Sequence, residues 1–423
     1  MKKDTFYRIL VLSLIIGASA CTPQNKPIFE KSASERTAEA MDALQEKLLS
    51  SPNGWIGEYY PGTTQYGGYV LSFVFTKGGE AFISSEVLED MQKPERSQYI
   101  VGSDAGVSLN FVTYNKALHF FADPDYRVGG GVSKGFEGDY EFLLMEDTHP
   151  DTIFLKGKTK GQILKLFKPK TAASDYLKKS MDTYGIAFNQ DFIRENVKDS
   201  YAGTLGGKET VLFFGKYNTL YYLDEKGNKI DVPFVPTPEG IRLHTPLNGI
   251  EYLVFNVKDK TLTAQGTSLS MREDPNYKYY TEFLGDYTVD ANGAVYDVKF
   301  EKAGNTRYKI TSPQWNYHIY ASFDAPNRRF TINVQEIETK PGTKLVMWDA
   351  NEGYLTWDEE IGVYSEKIDT GDGSVAYKLV DNKVWGSYKA DSFYMRDMNG
   401  KKEDKSLKPS RIVRPIFKKK QLS

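Results

Sequence analysis

Near the N-terminus the apolar side chains recur with the period of an α-helix. Met41, Leu44 and Leu48 are spaced three and four residues apart, which places them on one face of a helix. A Ser-x-x-Glu capping box begins at Ser32, and such a box is typical of a helix start. The pattern therefore predicts an amphipathic helix over residues 34–50.

After Trp55 the apolar period changes to two, which is the period of β-strands. Segments 69–75 and 80–85 alternate on either side of a Thr-Lys-Gly-Gly turn, and Asn292-Gly293 is a second strong hairpin signal. Alternation of this kind recurs along most of the chain. Further strands are predicted over 98–102, 107–113, 117–121, 138–145, 152–156 and 163–168, in six segments within 210–271, and in seven segments within 306–417.

These elements predict a mainly β protein with an N-terminal amphipathic helix, two or three antiparallel β-sheet or barrel domains, and short helical connectors. The evenly spaced strands near the C-terminus favour a closed barrel or a sandwich, and their pattern resembles the lipocalin-like barrels. The predicted boundaries are 34–170 for the helix with the first β domain, 171–198 for a helical connector, 199–272 for a second β domain or a continuation of the first, and 283–423 for the lipocalin-like C-terminal domain.

The first residues are typical of an exported lipoprotein. Three positive residues precede an apolar run over 9–16, which is too short to span a bilayer because a spanning helix needs about 20 residues. Small residues lead to Cys21 and resemble the lipobox of signal peptidase II substrates, although that box prefers Leu where this chain has Ala18. We therefore predict a signal peptide over 1–20, acylation of Cys21 and a tether over 21–33. An ordinary secretory signal with a stray cysteine is the alternative.

The composition narrows the classes of function. The formal charge is −2, and no basic stripe stands out beyond the tail Lys418-Lys419-Lys420, so nucleic acid is not an expected partner. The 29 Tyr and 24 Phe favour strands. Because the chain has a single cysteine, it can form no intramolecular disulfide, and its stability must come from buried apolar surface.

A specific set of short motifs accumulates before residue 170. The motifs are Asn53-Gly-Trp55, Tyr59-Tyr-Pro61, Gly67-Gly-Tyr69, Thr113-Tyr-Asn115, Leu118-His119, Ala122-Asp-Pro124, Gly138-Asp-Tyr-Glu-Phe142 and Leu155-Lys-Gly157. Together they resemble the Bacteroidetes lipoproteins of the domain of unknown function 4302 family, most clearly over 29–170 and more weakly to about 270. The resemblance implies no activity and no functional residues. It does imply a setting, because members of that family tend to accompany outer-membrane nutrient-uptake systems of the starch-utilisation type.

Four residues of the first domain are candidates for a polar site: His119, Asp123, Asp139 and Glu141. Glu137, Asp139 and Glu141 alternate and would share one face of a strand. Carboxylates grouped in this way could bind a cation, or could act as acid and base together with a histidine. A solvated strand face is the simpler interpretation of the same pattern.

The remaining motifs do not indicate a catalytic or metal-binding site. Gly131-Val-Ser133-Lys-Gly135 matches the Gly-x-Ser-x-Gly string of esterases, but no apolar strand precedes it and no helix is predicted after it, so we expect a glycine-rich loop. Asp369-Thr-Gly-Asp-Gly373 lacks the glutamate that completes an EF-hand loop, and we expect a hairpin turn. The four histidines are scattered without zinc-ligand spacing, so neither a metal nor a cofactor is expected.

Four of the five tryptophans lie in the last third of the chain: Trp315, Trp348, Trp357 and Trp385. Tryptophan offers a flat apolar face on which a sugar ring can stack, together with a polar edge. A place in the core is the alternative for each of them. Trp357 stands in a polar segment and is the residue expected to be exposed.

The sequence thus favours a non-catalytic lipoprotein of the outer membrane, anchored to the lipid bilayer through acylated Cys21. We predict an accessory component of a nutrient-uptake system, in contact with outer-membrane uptake proteins, which binds a glycan or a peptide. The sequence leaves open which face of the membrane the protein occupies. One alternative is a structural or adhesin-like surface protein, and another is a hydrolase with an unrecognised site near His119 and Glu141.

Overall fold

A computed structural model describes residues 31–62, 66–124, 135–145, 149–371 and 373–420. Within them, antiparallel strands form three closed eight-stranded barrels, and a six-stranded sheet accompanies the third barrel. The prediction of a mainly β protein with barrel domains and a barrel in the C-terminal region is confirmed. None of the helices in the described ranges is long and apolar enough to cross a membrane.

The predicted N-terminal helix is present as α1 (Ala33–Leu49). Its capping box is complete, because the Ser32 hydroxyl accepts a hydrogen bond from the Glu35 N–H at 3.2 Å and the Glu35 carboxylate accepts one from the Ser32 N–H at 2.8 Å. Leu44 and Leu48 are buried in the core of the first barrel. The apolar face of the helix therefore covers that barrel.

The first barrel is closed by strand pairing between its first and last strands, with Gly57 opposite Leu166. Large aromatic side chains fill its interior, among them Trp55, Phe73 and Phe142. Its strands are β1 (Trp55–Tyr59), β2 (Tyr69–Phe75), β3 (Glu80–Ser85), β4 (Glu95–Ser103), β5 (Val107–Phe111), β6 (Glu141–Leu144), β7 (Thr152–Gly157) and β8 (Ile163–Phe167).

The strand predicted over 117–121 is wrong. The structure has helix α2 (Lys116–His119) there, followed by a 3-10 turn over Phe120–Ala122. The Asn115 side chain caps the helix by accepting a hydrogen bond from the Leu118 N–H at 3.3 Å. This cap starts a helical turn in a segment that is too short for its apolar pattern to distinguish a helix from a strand.

Two helices follow the first barrel, α3 (Ala173–Ala187) and α4 (Gln190–Glu195). Ala173 and Leu177 of α3 are buried in one cluster with apolar residues of both the first and the second barrel. The helix therefore lies between the two barrels and packs against each.

The second barrel closes between its first and last strands, with Ala202 opposite Ser270. Backbone hydrogen bonds join it to the first barrel, because the Gly67 N–H donates to the Tyr217 carbonyl oxygen at 2.7 Å and the Gly68 N–H donates to the Phe234 carbonyl oxygen at 2.8 Å. A Cβ atom on Gly67 would lie 1.8 Å from the Asn218 carbonyl oxygen, so only glycine fits there. The strands are β9 (Lys198–Leu205), β10 (Lys208–Phe214), β11 (Thr219–Leu223), β12 (Lys229–Thr237), β13 (Gly240–Leu247), β14 (Ile250–Asn256), β15 (Thr261–Ala264) and β16 (Thr267–Glu273).

A 3-10 helix over Tyr277–Phe283 leads into the C-terminal region, where the strands divide between a barrel and a separate sheet. The barrel strands are β17 (Gly285–Ala291), β18 (Ala294–Lys302), β19 (Arg307–Thr311), β20 (Ile319–Asp324), β21 (Arg329–Asn333), β25 (Gly362–Asp369), β26 (Val375–Asp381) and β30 (Ile416–Lys419). The sheet strands are β22 (Gln335–Glu336), β23 (Thr343–Trp348), β24 (Leu355–Thr356), β27 (Ser392–Asp397), β28 (Lys402–Glu403) and β29 (Arg411–Val413). Both parts share one apolar core.

Candidate functional site

The separate sheet of the C-terminal region has two different faces. Leu345 and Met347 of β23 and Phe393 and Met395 of β27 point into the core. Because side chains alternate along a strand, Trp348, Tyr394 and Arg396 lie on the opposite face. The chain thus builds a surface of aromatic and cationic side chains on a rigid apolar support.

We call this surface the aromatic face, and its members are Trp348, Trp357, Tyr394, Arg396 and Arg411. The Trp348 and Tyr394 rings meet edge to face, with their centroids 6.1 Å apart. The Arg411 guanidinium carbon lies 5.6 Å from the Trp348 ring centroid and 5.1 Å from that of Tyr394. These distances are typical of cation–π contacts, so the three side chains hold one another in place.

A carboxylate fixes the orientation of Arg411. The Arg411 Nε donates to the Glu403 Oε1 at 2.9 Å and its Nη2 donates to Oε2 at 2.6 Å. The Ser410 hydroxyl donates to the same Oε1 at 2.7 Å. These hydrogen bonds hold the pKa of the Glu403 carboxyl below its usual range and raise the pKa of the Arg411 guanidinium. Arg411 is therefore charged and preorganised.

Trp357, which follows β24, is an exposed member of the aromatic face, with 51% of its surface accessible. The Arg396 guanidinium carbon lies 5.1 Å from its ring centroid. Arg396 forms no ion pair with any residue in the described ranges. The indole face and the guanidinium donors are therefore both accessible for a ligand.

The other two C-terminal tryptophans lie elsewhere. Trp315 is 7% exposed, and its ring stacks on Tyr317 with centroids 5.5 Å apart. Trp385 is half-buried, packs against the same core and contacts the Tyr388 ring at 5.4 Å. Of the four tryptophans predicted as ligand contacts, the structure brings only Trp348 and Trp357 to the aromatic face.

Among the described residues, no hydrogen bond or ion pair joins His119 to Asp139 or to Glu141. The His119 ring stacks between two tyrosines, with centroids 5.2 Å from Tyr114 and 4.5 Å from Tyr140. Its Nδ1 accepts a hydrogen bond from the Asn115 N–H at 3.1 Å. Burial lowers the pKa of the imidazole. Asp123 is exposed at the end of the 3-10 turn.

The prediction that Glu137, Asp139 and Glu141 share one face of a strand is wrong. Strand β6 begins only at Glu141, and Glu137 has a positive φ of 54°. Asp139 precedes the strand and is 4% exposed. Its carboxylate accepts hydrogen bonds from the N–H groups of Thr159, Lys160 and Gly161 at 3.2, 2.8 and 3.2 Å. Asp139 thus stabilises the turn between β7 and β8.

A close contact between backbone and carboxylate accompanies this turn. A Cβ atom on Gly157 would lie 2.0 Å from the Asp139 Oδ2, so the position requires glycine. Glu141 forms an ion pair with Lys158, with Oε2 and Nζ 3.3 Å apart. Asp139 and Gly157, which belong to two of the short sequence motifs, therefore have structural roles.

Several predicted features lie outside the described residues: Cys21 with the signal and most of the tether, and Ser133 in the glycine-rich segment. The segment 369–373 joins β25 to β26, as expected for a hairpin turn. Within the described ranges, no group of three or more His, Cys, Asp or Glu side chains lies close enough together to hold a metal ion.

Sequence reasoning missed three members of the aromatic face, namely Tyr394, Arg396 and Arg411. A signal for the first two was present, because the segment Ser392-Phe-Tyr-Met-Arg-Asp397 alternates between apolar residues and residues with polar groups. That alternation indicates which side chains share a face, but not which strands lie beside them. The contribution of Arg411 depends on the pairing of β29 with β27, with Arg411 opposite Tyr394.

Two family models match the chain. The domain of unknown function DUF4302 covers residues 25–259, which is more than half of the chain. A second domain of unknown function, DUF4987, covers residues 262–395. A search of curated proteins finds no match. The boundary between the two family models falls between β14 and β15, within the closed second barrel.

Proposed function

Starting from the fact that the chain belongs to the DUF4302 family, for which no function is described, we propose that it is a non-catalytic binding protein that holds a glycan on its aromatic face. The observation that carries this proposal is the exposed Trp357 ring with the unpaired Arg396 guanidinium beside it. Sugar rings present apolar C–H surfaces with hydroxyl groups at their edges. An indole face with adjacent guanidinium donors complements both features.

The support beneath the aromatic face favours binding without rearrangement. Val346 of β23 is fully buried, although it lies on the same side of the sheet as Trp348. This side of the sheet is therefore packed at Val346 and not open to water there. The contacts of Arg411 with Glu403 restrict its rotamers before a ligand arrives. Preorganised side chains lose less conformational entropy on binding, which favours affinity.

The charges of the aromatic face indicate which glycans fit best. Arg411 is neutralised by Glu403, whereas Arg396 forms no ion pair within the described part of the chain. A guanidinium presents parallel donors that match a carboxylate. An acidic sugar is therefore expected to bind more tightly than a neutral one of the same size.

The proposed place of action is the outer membrane. The sequence pattern around Cys21 supports cleavage of the chain before this residue and acylation of its side chain. Residues 21–33 would then connect the acylated cysteine to α1, which begins at Ala33. The resemblance to lipoproteins that accompany nutrient-uptake systems supports an accessory role beside outer-membrane uptake proteins. The protein would capture a glycan and present it to them.

A glycan array probed with a form that begins at Thr22 tests the proposal, followed by titration calorimetry with the best glycan. Trp357→Ala should weaken binding by about 30-fold or more, because an aromatic hot spot contributes about 2 kcal/mol. Its melting temperature should stay near that of the parent protein, since Trp357 is 51% exposed.

Tyr252→Ala is the matched control, because Tyr252 is 54% exposed and lies in the second barrel. This variant should bind like the parent protein. The proposal fails if no glycan binds, or if Trp357→Ala and Tyr252→Ala bind equally well.

A further inference from the structure

Three neighbouring rings form a stack on the first barrel, and none of them belongs to the aromatic face. They are Tyr114, His119 and Tyr140, and we call them the tyrosine–histidine stack. The His119 ring centroid lies 5.2 Å from that of Tyr114 and 4.5 Å from that of Tyr140. The planes of His119 and Tyr140 are 23° apart, so these two rings lie face to face.

Hydrogen bonds to the backbone fix the support of the tyrosine–histidine stack. Asn115 caps α2, which carries His119, and its Nδ2 donates to the Glu95 carbonyl oxygen of β4 at 2.9 Å. The Phe111 N–H at the end of β5 donates to the Tyr140 carbonyl oxygen at 3.2 Å. The rings are therefore attached to strands of the barrel, and such preorganisation limits the entropy that is lost when a ligand binds.

The stability of the fold does not account for the position of the outermost ring. Tyr114 is 68% exposed and Tyr140 is 42% exposed. Apolar surface stabilises a fold only where it is removed from water, so most of the Tyr114 ring contributes little to folding. Aromatic surface that is both exposed and held in place is typical of a binding site.

The tyrosine–histidine stack also presents polar groups at the edges of its rings. The two tyrosine hydroxyls and the His119 Nε2 form no hydrogen bond with any residue that the structure describes. The His119 Nδ1 is occupied by the Asn115 N–H at 3.1 Å, which leaves Nε2 for a ligand. Burial lowers the pKa of the imidazole, so the ring is uncharged at neutral pH.

These features match the surface of a sugar. Sugar rings have apolar C–H faces that pack on aromatic rings, and they have hydroxyl groups that can both donate and accept hydrogen bonds. A purely apolar partner would leave the polar groups of the stack buried without hydrogen bonds, which is costly. An uncharged sugar is favoured because the stack contains no guanidinium or ammonium group, in contrast to the aromatic face with its Arg396.

We propose that the tyrosine–histidine stack is a second carbohydrate-binding site, which holds an uncharged sugar residue of an oligosaccharide. The apolar side of the sugar packs on the Tyr114 ring, and its hydroxyl groups bond to the polar groups at the ring edges. The site goes beyond the binding proposed for the aromatic face. It does not depend on that binding, because the two sites share no residue.

Titration calorimetry on the Trp357→Ala variant of the form that begins at Thr22 tests this site, because the aromatic face is disabled in that variant. The probes are three uncharged oligosaccharides: maltohexaose, cellohexaose and mannohexaose. At least one of them should bind, with a dissociation constant in the millimolar range or below. Absence of binding by all three at millimolar concentration overturns the proposal and leaves a protein as the alternative partner of the stack.

Further substitutions in the same Trp357→Ala background locate the binding. Tyr114→Ala should weaken it about tenfold or more because the stacking surface is lost, while the melting temperature stays unchanged because this ring is 68% exposed. Tyr114→Phe keeps the ring and should weaken binding only about threefold. Tyr252→Ala is the matched control, since Tyr252 is a 54% exposed residue of the second barrel, and it should bind normally. Equal binding by Tyr114→Ala and Tyr252→Ala would overturn the assignment.

Discussion

Glu86 lies at the junction of the first two barrels and gives the protein a pH-dependent stability. Its carboxylate accepts hydrogen bonds from the Val70 N–H at 3.2 Å and from the Asn218 Nδ2 at 2.9 Å. Removal from water outweighs both bonds and raises the pKa of Glu86 from its ordinary value of 4.5 to about 7. The folded protein therefore keeps a proton on Glu86 in a pH range where the unfolded chain has lost it.

The sign of the pH effect follows from this difference in proton binding. Below pH 4.5 Glu86 is neutral in both states, and its contribution to stability is fully present. Between pH 4.5 and about 7 the folded state binds more protons than the unfolded state, so stability falls as the pH rises. Above that range the carboxylate is charged in both states. One pKa unit corresponds to about 1.4 kcal/mol, so the full loss is roughly 3 kcal/mol.

Glu86→Gln removes the titration and keeps an oxygen that can accept a hydrogen bond. We expect this variant to match the parent protein at pH 4 and to be more stable by about 2–3 kcal/mol at pH 8. Urea unfolding followed by circular dichroism at one-unit intervals measures the difference. Glu89→Gln, which changes an exposed carboxylate of the same loop, is the control and should show no such trend. A difference between Glu86→Gln and the parent protein that is the same at pH 4 and pH 8 would refute the reasoning.

Two further predictions concern Asp139 in the first barrel and Cys21 near the N-terminus. Asp139→Ala should lower the free energy of unfolding by about 3 kcal/mol or more, because it leaves three N–H groups of the turn between β7 and β8 without their acceptor. Urea unfolding measures this change, and a loss below about 1 kcal/mol would contradict the prediction. Cys21→Ala should prevent cleavage by signal peptidase II and acylation, and normal acyl labelling and membrane fractionation of this variant would disprove lipidation at this residue.

The sequence predicted those elements whose signals are local. The capping box at Ser32 marked the start of α1, and the Asn292-Gly293 turn marked the hairpin of β17 and β18, where both residues have positive φ angles of 57° and 90°. Each signal depends on hydrogen bonds or backbone angles within a few residues. Such signals are largely independent of the rest of the fold.

Strand partners could not be predicted in the same way. Strands β23 and β27 were identified as alternating segments, but their departure from the barrel into a separate sheet depends on β21 pairing with β25 across an intervening segment. Alternation fixes the face of a side chain and leaves its neighbours open. For the same reason the local sequence pattern could not predict the contact between Glu86 and Asn218, which are 132 residues apart.

The polar neighbours of Trp357 predicted that its ring is exposed. The sequence contained no corresponding indication that the ring of Trp315 is buried. Trp315 also follows polar residues, in Thr311-Ser-Pro-Gln-Trp315. Its stacking on Tyr317 and its contact with Tyr296 at 5.9 Å place the ring against the third barrel. Local polarity therefore indicated the exposure of Trp357 correctly but gave no signal for the burial of Trp315.

Closure of the second barrel has a consequence for any attempt to divide the chain. A fragment that ends at residue 259, where the first family model ends, would lack β15 and β16. The backbone hydrogen-bonding groups of β9 and β14 that face those strands would then lie along two open edges. Open edges recruit strands from other molecules, so such a fragment is prone to aggregate. A cut after Glu273 keeps the eight strands together and avoids this hazard.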